Sequence, residues 1–302
     1  MAVTSPSPVD PAVSYKVPKR RHPVVHFMVQ QPLGSLGLLV IVVMCLSAAF
    51  ADQVAPHDPF QTNYIALLAS PSLEHPFGTD NFGRDIFSRV IYGARTALAI
   101  GFLASLWGCT VGALIGVISA FFGGWVDTII QRIMDVLLSF PIIVLALAVV
   151  AVLGRNVVLG IDVNLIIAIG LPMVPKVARV VRSSTLAIRE TPYIDAARAA
   201  GYSNSRIVLR HIVPNVVAPY LIMLTAFVAQ AILLEASLSF LGLGVTEPTP
   251  AWGLMLSGSA ADFYLEAPWM IIFPGLAISL AVFAFNLFGD ALRDWLDPKI
   301  NL

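Results

Sequence analysis

The chain has 302 residues and no formal net charge at pH 7; 58% of its residues are hydrophobic and only 12% charged, with a mean hydropathy of +0.84. Soluble domains are about a quarter charged, so this composition excludes an ordinary water-soluble protein, and the neutral balance gives no case for a nucleic acid partner. The apolar residues stand in blocks of about 20, the length a helix needs to cross a hydrocarbon core of ~30 Å.

Residues 1–32 are rich in Pro, Ser and Val and carry a basic cluster, Lys16, Lys19, Arg20 and Arg21. This composition reads as a cytoplasmic, largely disordered tail. A first apolar block covers about 33–51. Its basic flank and the Ala49-Phe50-Ala51 ending resemble a cleavable signal peptide, but the block exceeds the usual ~7–15 apolar residues, which favours a retained span. Residues 52–93 are polar and turn-rich, with Pro56, Pro59, Pro71 and Pro76. Further apolar blocks follow at about 96–119, 133–153, 161–179, 215–241 and 269–289. Glycines such as Gly101, Gly108, Gly112 and Gly116 recur inside them, and small residues at this spacing let helices approach closely in lipid.

Six spans over residues 33–302 put both termini on one side, and lysine and arginine decide which. Of the 18 such residues, only Arg84, Arg89, Arg95 and Arg155 fall on the other side. The tail, the loop between spans four and five and the C-terminus are therefore expected in the cytoplasm. The fold class is all-α: a polytopic membrane protein with six transmembrane helices and a cytoplasmic helix–turn–helix. Cys45 and Cys109 lie in apolar blocks and read as small hydrophobes. The five histidines show no metal-ligand spacing, so neither a catalytic centre nor a bound metal is expected.

The loop at 190–214 is the most informative segment. Thr191 can cap a helix with Pro192 at its first position. Asp195 lies near the positive N-terminal end of that helix, Ala196, Ala197, Ala199 and Ala200 favour helix, and Gly201 is a natural left-handed terminator. Ser203 can cap a second segment that runs through Arg206 and Arg210 to Ile212, Val213 and Pro214. Four alanines leave little side-chain bulk, so another protein could approach the backbone closely. The alternative is an amphipathic helix lying on lipid headgroups through its arginines. A loop tethered at both ends to membrane spans is a poor reader of DNA.

Asp195-Ala196-Ala197, Gly201 four residues further on, and Ile212-Val213-Pro214 resemble the coupling signature of ABC importer permeases, which normally begins with glutamate where this chain has Asp195. The resemblance implies that Tyr193 to Gly201 docks into a cleft on a separate ATPase subunit, with Tyr193, Asp195, Ala196, Ala197, Arg198, Gly201, Ile212 and Pro214 as coupling residues. His75-Pro76-Phe77-Gly78-Thr79-Asp80, Gly83-Arg84-Asp85, Ser88-Arg89, residues 235–244, Pro250-Ala251-Trp252-Gly253 and the ending from Asn286 to Asp294 resemble C-type permeases of the dipeptide, oligopeptide and nickel group. That group implies a homologous second permease, ABC ATPase subunits, an extracytoplasmic substrate-binding protein and a bacterial cytoplasmic membrane as surroundings.

A phosphate-binding loop needs lysine after glycine, and none of Lys16, Lys19, Lys176 or Lys299 follows one. Hydrolysis is thus expected on other chains, with ATP and Mg held there and no cofactor on this one. Charged and polar groups inside spans are functional candidates: Glu235 first, then Gln230 and Asn286, as a substrate pathway. For each the bland reading is a helix-packing hydrogen bond. Asp127 and Asp135 suit solvated or interhelical roles, and Asp80, Arg84 and Asp85 an ion-pair network. The expected cargo is di- or oligopeptides, with nickel, glutathione or another small solute as alternatives. An ion-driven secondary transporter would need intramembrane carboxylate networks or inverted repeats, and neither is visible.

Overall fold

The computed structural model describes residues 28–158 and 160–296. The basic cluster at Lys16 to Arg21 and the terminal Asp297, Pro298 and Lys299 lie outside the described residues. Among the described residues, five helices are long and apolar enough to cross a membrane, and a bent pair passes the same test when taken as one span.

Helix α1 covers Pro32–Ala49 and α2 Ile86–Phe122. Then come α3, Gly124–Ser139, and α4, Ile142–Leu153. A short antiparallel pair, β1 (Val157–Val158) and β2 (Ile161–Asp162), leads to α5, Val163–Gly170. One tight turn, Leu171–Met173, joins α5 to α6, Val174–Arg189. The 190–214 loop holds α7, Pro192–Ala199, and α8, Asn204–Ile207. A π-helical turn at Val208–Ile212 feeds α9, Val213–Phe240. The short α10, Trp252–Met255, precedes α11, Trp269–Leu296.

The apolar block at 133–153 is not one straight helix: α3 and α4 meet at 98°. Phe140 is extended (φ −88°, ψ 138°) because the ring of Pro141 disfavours helical backbone in the residue before it. Hydropathy is blind to that break, since both sides of it are apolar.

Glycines set the helix directions. A Cβ on Gly108, Gly112 or Gly116 would stand 2.5–2.7 Å from the carbonyl oxygens of Gly170, Val174 and Ala178 in turn. Both series rise by four residues, so α2 runs parallel to α5–α6, backbone against backbone. Two parallel neighbours require the chain between them to return to its starting end, which makes α3–α4 a crossing. The α1–α11 pair runs antiparallel instead: Gly34 abuts Ala291 and Gly37 abuts the Ala284 carbonyl. In lipid, where solvent exclusion does not drive helices together, such close backbone packing is the principal attraction.

The main core joins α2, α4, α5, α6 and α9, from Ile100 through Cys109, Val177 and Val216 to Ile194 and Ile207 in the 190–214 loop. A second core joins α1, α2, α9, α10 and α11 around Trp252, whose indole Nε1 donates to the Val90 carbonyl over 2.9 Å. Gly93 makes room for that ring, a Cβ there being 2.7 Å from it. Leu33, Leu39, Leu114, Leu276 and Phe283 point outward, each more than half exposed. Such an apolar girdle on a single chain suits a lipid surface or a partner.

Candidate functional site

The 190–214 loop forms the helix–turn–helix that its residues predict. Helix α7 starts with Pro192 at its first position after an extended Thr191. The Thr191 hydroxyl does not cap the helix: it donates backward to the Ile188 carbonyl. The helix ends in a Schellman turn. Gly201 adopts φ +76°, its amide donates to the Arg198 carbonyl, and the Tyr202 amide donates to the Ala197 carbonyl, the pairing that satisfies end carbonyls. The Ser203 side chain accepts from the Arg206 amide and so caps α8.

Helix α7 presents two different faces. Ile194 and Ala197 are buried in the main core with Ile207 and Ile212. Asp195, Ala196, Arg198, Ala199, Ala200 and Gly201 are exposed, and nothing lies within 4 Å of a Cβ placed on Gly201. The uniform alanine surface read from the sequence is therefore corrected: Ala197 is an anchor, and Ala196, Ala199 and Ala200 form the outer face. Tyr193 is exposed beside His211, 6.1 Å between ring centroids, and Pro214 is exposed at the start of α9.

Several basic groups of this end are engaged within the chain. Arg182 Nε donates to Asp127 Oδ1 over 2.6 Å, and Asp127 also accepts from the Ser119 hydroxyl, tying α2, α3 and α6 together. Arg179 pairs with Asp135. Arg189 donates to the Ala120 carbonyl over 2.8 Å, closing the end of α2. Arg198 pairs with Asp195 at 3.1 Å and Arg206 lies 4.1 Å over the Tyr202 ring. Arg198, Arg206 and Arg210 are the exposed arginines of the loop. The helices that carry the loop are thus braced, while its outer face is open.

The opposite end holds a second polar assembly. Asp80 accepts from the Arg84 Nε over 2.6 Å, and Arg84 Nη1 donates to Glu247 Oε2 over 2.7 Å. Arg89, 1% exposed along its side chain, faces Glu247 at 3.6 Å and Asp80 at 4.0 Å, and its Nη1 donates to the Pro59 carbonyl over 3.0 Å. Burial alone would lower the Arg84 pKa, but the bonds to Glu247 and Asp80 outweigh it and hold the guanidinium above its usual value. Asp85, expected in this network, instead caps α2 by accepting from the Ser88 amide over 2.8 Å and bonds His75 Nδ1 at 3.0 Å. Glu247 is the member sequence reasoning missed, being remote along the chain and in a loop without a motif. His57, His75 and Asp85, scattered by sequence spacing, bring one donor atom each to within 4.8 Å of one another.

The three pathway candidates do not converge. Glu235 is 1% exposed; its Oε1 accepts from the Ser239 hydroxyl over 2.7 Å, and Ser239 Oγ accepts from the Val245 amide over 3.0 Å. This chain of bonds fixes the turn after α9, which is the packing reading. Gln230 is half-buried and Asn286 exposed. A cavity of about 520 Å³ lies elsewhere, lined by Arg95, Thr96, Arg155, Asp162, Val245 and Thr246.

Residues 112–302 match the model of the binding-protein-dependent transport system inner membrane component. The chain belongs to that family. Its members are the membrane-spanning permeases of ABC importers, whose ATPase activity resides in separate subunits. Residues 25–71 match the N-terminal transmembrane domain of oligopeptide transport permease C. The dipeptide transport system permease protein DppC of Alkalihalophilus pseudofirmus is 45% identical over 89% of this chain and 86% of its own length. The glutathione transport system permease protein GsiD of Escherichia coli O6:K15:H31 is 45% identical over 90% and 88%. A chain of the MetNI methionine ABC transporter, inward-facing, shares the fold with a TM-score of 0.51 at 18% identity, over 68% of this chain and 97% of that one. The permease is thus of the C type of the dipeptide, oligopeptide and nickel group, with a type I importer fold.

Proposed function

We propose that this permease carries di- or oligopeptides inward and that α7, Tyr193 to Gly201, is the element through which an ATPase subunit drives it. The observation that carries the reading is the division of α7 into two faces. Ile194 and Ala197 root it in the core that runs the length of the bundle, while Ala196, Ala199, Ala200 and Gly201 leave a low, open surface. A load on that surface passes to α6 and α9 through packed side chains. Arg198, Arg206 and Arg210 supply positive charge for an acidic cleft.

On this reading the 190–214 loop and both termini face the cytoplasm of a bacterial cell, and the Arg84–Glu247 end faces outward. The predominance of lysine and arginine at the loop end supports this orientation. A homologous second permease completes the pathway, an external binding protein delivers the cargo, and ATP with Mg is held by the ATPase subunits. The peptide cargo is supported by the dipeptide relative; glutathione, itself a tripeptide, is the second reading because the glutathione relative is equally similar.

The test is reconstitution of the complex in vesicles with competing dipeptides, longer peptides, glutathione and nickel. Peptide competition at the lowest concentration supports the assignment; competition by nickel or glutathione alone refutes the peptide cargo. Ala196→Trp probes docking better than a bulky residue at Gly201, where φ +76° would add backbone strain to the steric effect. If that variant keeps ATPase association and uptake unchanged, α7 is not the docking element.

A further inference from the structure

We propose that His57, His75 and Asp85 form a binding site for a transition-metal cation of the zinc class, at the end of the bundle opposite α7. The donor set is two imidazoles and one carboxylate. Nitrogen-rich sets of this kind suit Zn²⁺ and its neighbours, whereas Mg²⁺ and Ca²⁺ require mostly oxygen. Donors about 2.0–2.2 Å from a tetrahedral zinc stand roughly 3.3–3.6 Å from one another. His75 Nδ1 and Asp85 Oδ1 are 3.0 Å apart, already close to that edge, and the three donor atoms lie within 4.8 Å of each other. Closing the set needs a movement of about 1.5 Å at most, set by that same ligand geometry. His57 makes it most easily, because it lies in an irregular loop and is only half-buried.

The surroundings hold the donors as outer partners of a metal site do. Asp85 Oδ2 accepts from the Ser88 amide over 2.8 Å and from the Ser88 hydroxyl over 2.7 Å, leaving Oδ1 turned to the histidines. The same hydroxyl oxygen accepts from the His57 amide over 3.2 Å, so one serine joins the His57 loop to the start of α2. His57 Nε2 lies 2.9 Å from the Glu74 carbonyl; donating there puts the ring's lone pair on Nδ1. The His57 and His75 rings sit 4.6 Å apart and tilted by 36°. A cavity of about 90 Å³ adjoins them, lined also by Asp58, Gln61, Asn63 and Glu74, which gives room for a water at the fourth position. A His75–Asp85 hydrogen bond accounts for two of the three residues, and the bonds of His57 to Ser88 and the Glu74 carbonyl hold a second imidazole beside them. A bound ion would pin residues 57–85 to the head of α2.

The experiment uses the full importer complex, purified through a tag without histidine and stripped with EDTA. Zn²⁺ is titrated with elemental analysis of the washed protein, and Co²⁺ serves as a spectroscopic probe. The expected result is one zinc per permease chain with a visible Co²⁺ band of low coordination number. His57→Ala and Asp85→Asn should lose that equivalent and weaken affinity by more than the roughly 10- to 100-fold typical of losing an outer partner; His22→Ala should retain it. Because Asp85→Asn also removes a helix cap, the wild-type cobalt spectrum and the loop variant His57→Ala carry the decision. Absence of zinc uptake by the stripped wild type, or an equivalent that persists in His57→Ala, overturns the site.

Discussion

Replacing Gly112 by leucine is expected to force α2 and α6 apart. A Cβ at that position would lie 2.7 Å from the Val174 carbonyl oxygen and 2.8 Å from Val177 Cβ. Comfortable contacts begin at about 3.5 Å, so even a methyl group demands a separation of roughly 0.7 Å, and gaps of ~0.5–1 Å forfeit a quarter to a half of each pairwise attraction. Overpacking costs about 1–3 kcal/mol. Alanine recovers up to ~1 kcal/mol of helix propensity over glycine, which offsets only part of that cost because the clash is with a backbone oxygen, so Gly112→Ala is expected to destabilise by up to about 2 kcal/mol. Leucine adds three more carbons with no place to go and decides the question. The assay is the thermal midpoint of the purified complex together with ATP-dependent uptake in vesicles, with Gly275→Ala, where a Cβ meets nothing within 4 Å, as the silent control. A Gly112→Leu variant with unchanged midpoint and uptake would show that the two backbones are not in contact there.

Other outcomes follow from the same geometry. Asp80→Asn removes the buried partner of Arg84 and Arg89 and should destabilise by less than the roughly 3–5 kcal/mol of a fully orphaned buried charge, because Glu247 still faces both arginines; Glu247→Gln, whose side chain is 49% exposed, should lower the thermal midpoint less again, and the reverse order would refute the assignment of burial. Ala196→Trp should abolish co-purification of the ATPase with the permease still folded, whereas Ala197→Trp, aimed into the core, should lower the midpoint as well. Glu235→Gln keeps an acceptor for the Ser239 hydroxyl, so uptake should retain its wild-type concentration dependence; a large rise in half-saturation would instead place Glu235 on the cargo path.

Much of the 190–214 helix–turn–helix was legible locally. Pro192, Gly201 and Ser203 act through their own backbone geometry and nearest neighbours, so the turn, its left-handed glycine and the cap on α8 followed from residue types. Thr191 went astray because its hydroxyl found a carbonyl in the preceding turn, a competition that residue type does not resolve. Which face of α7 is buried was not legible, since four alanines in one turn and a half carry no hydrophobic stripe. The Glu247 and His57 contacts were equally hidden: they join segments that no repeat or spacing relates.

The sequence by itself determined that the chain lives in a bilayer, that hydrolysis lies elsewhere and which loop is proposed as the docking element, because each depends on hydropathy, charge balance or a short motif read along the chain. Only the tertiary structure decided the bend at Phe140–Pro141, the register that sets Gly108, Gly112 and Gly116 against the backbone of α5–α6, the buried face of α7, and the meeting of His57, His75 and Asp85. Those features depend on which surfaces approach in space, and packing fixes that by shape across many residues at once.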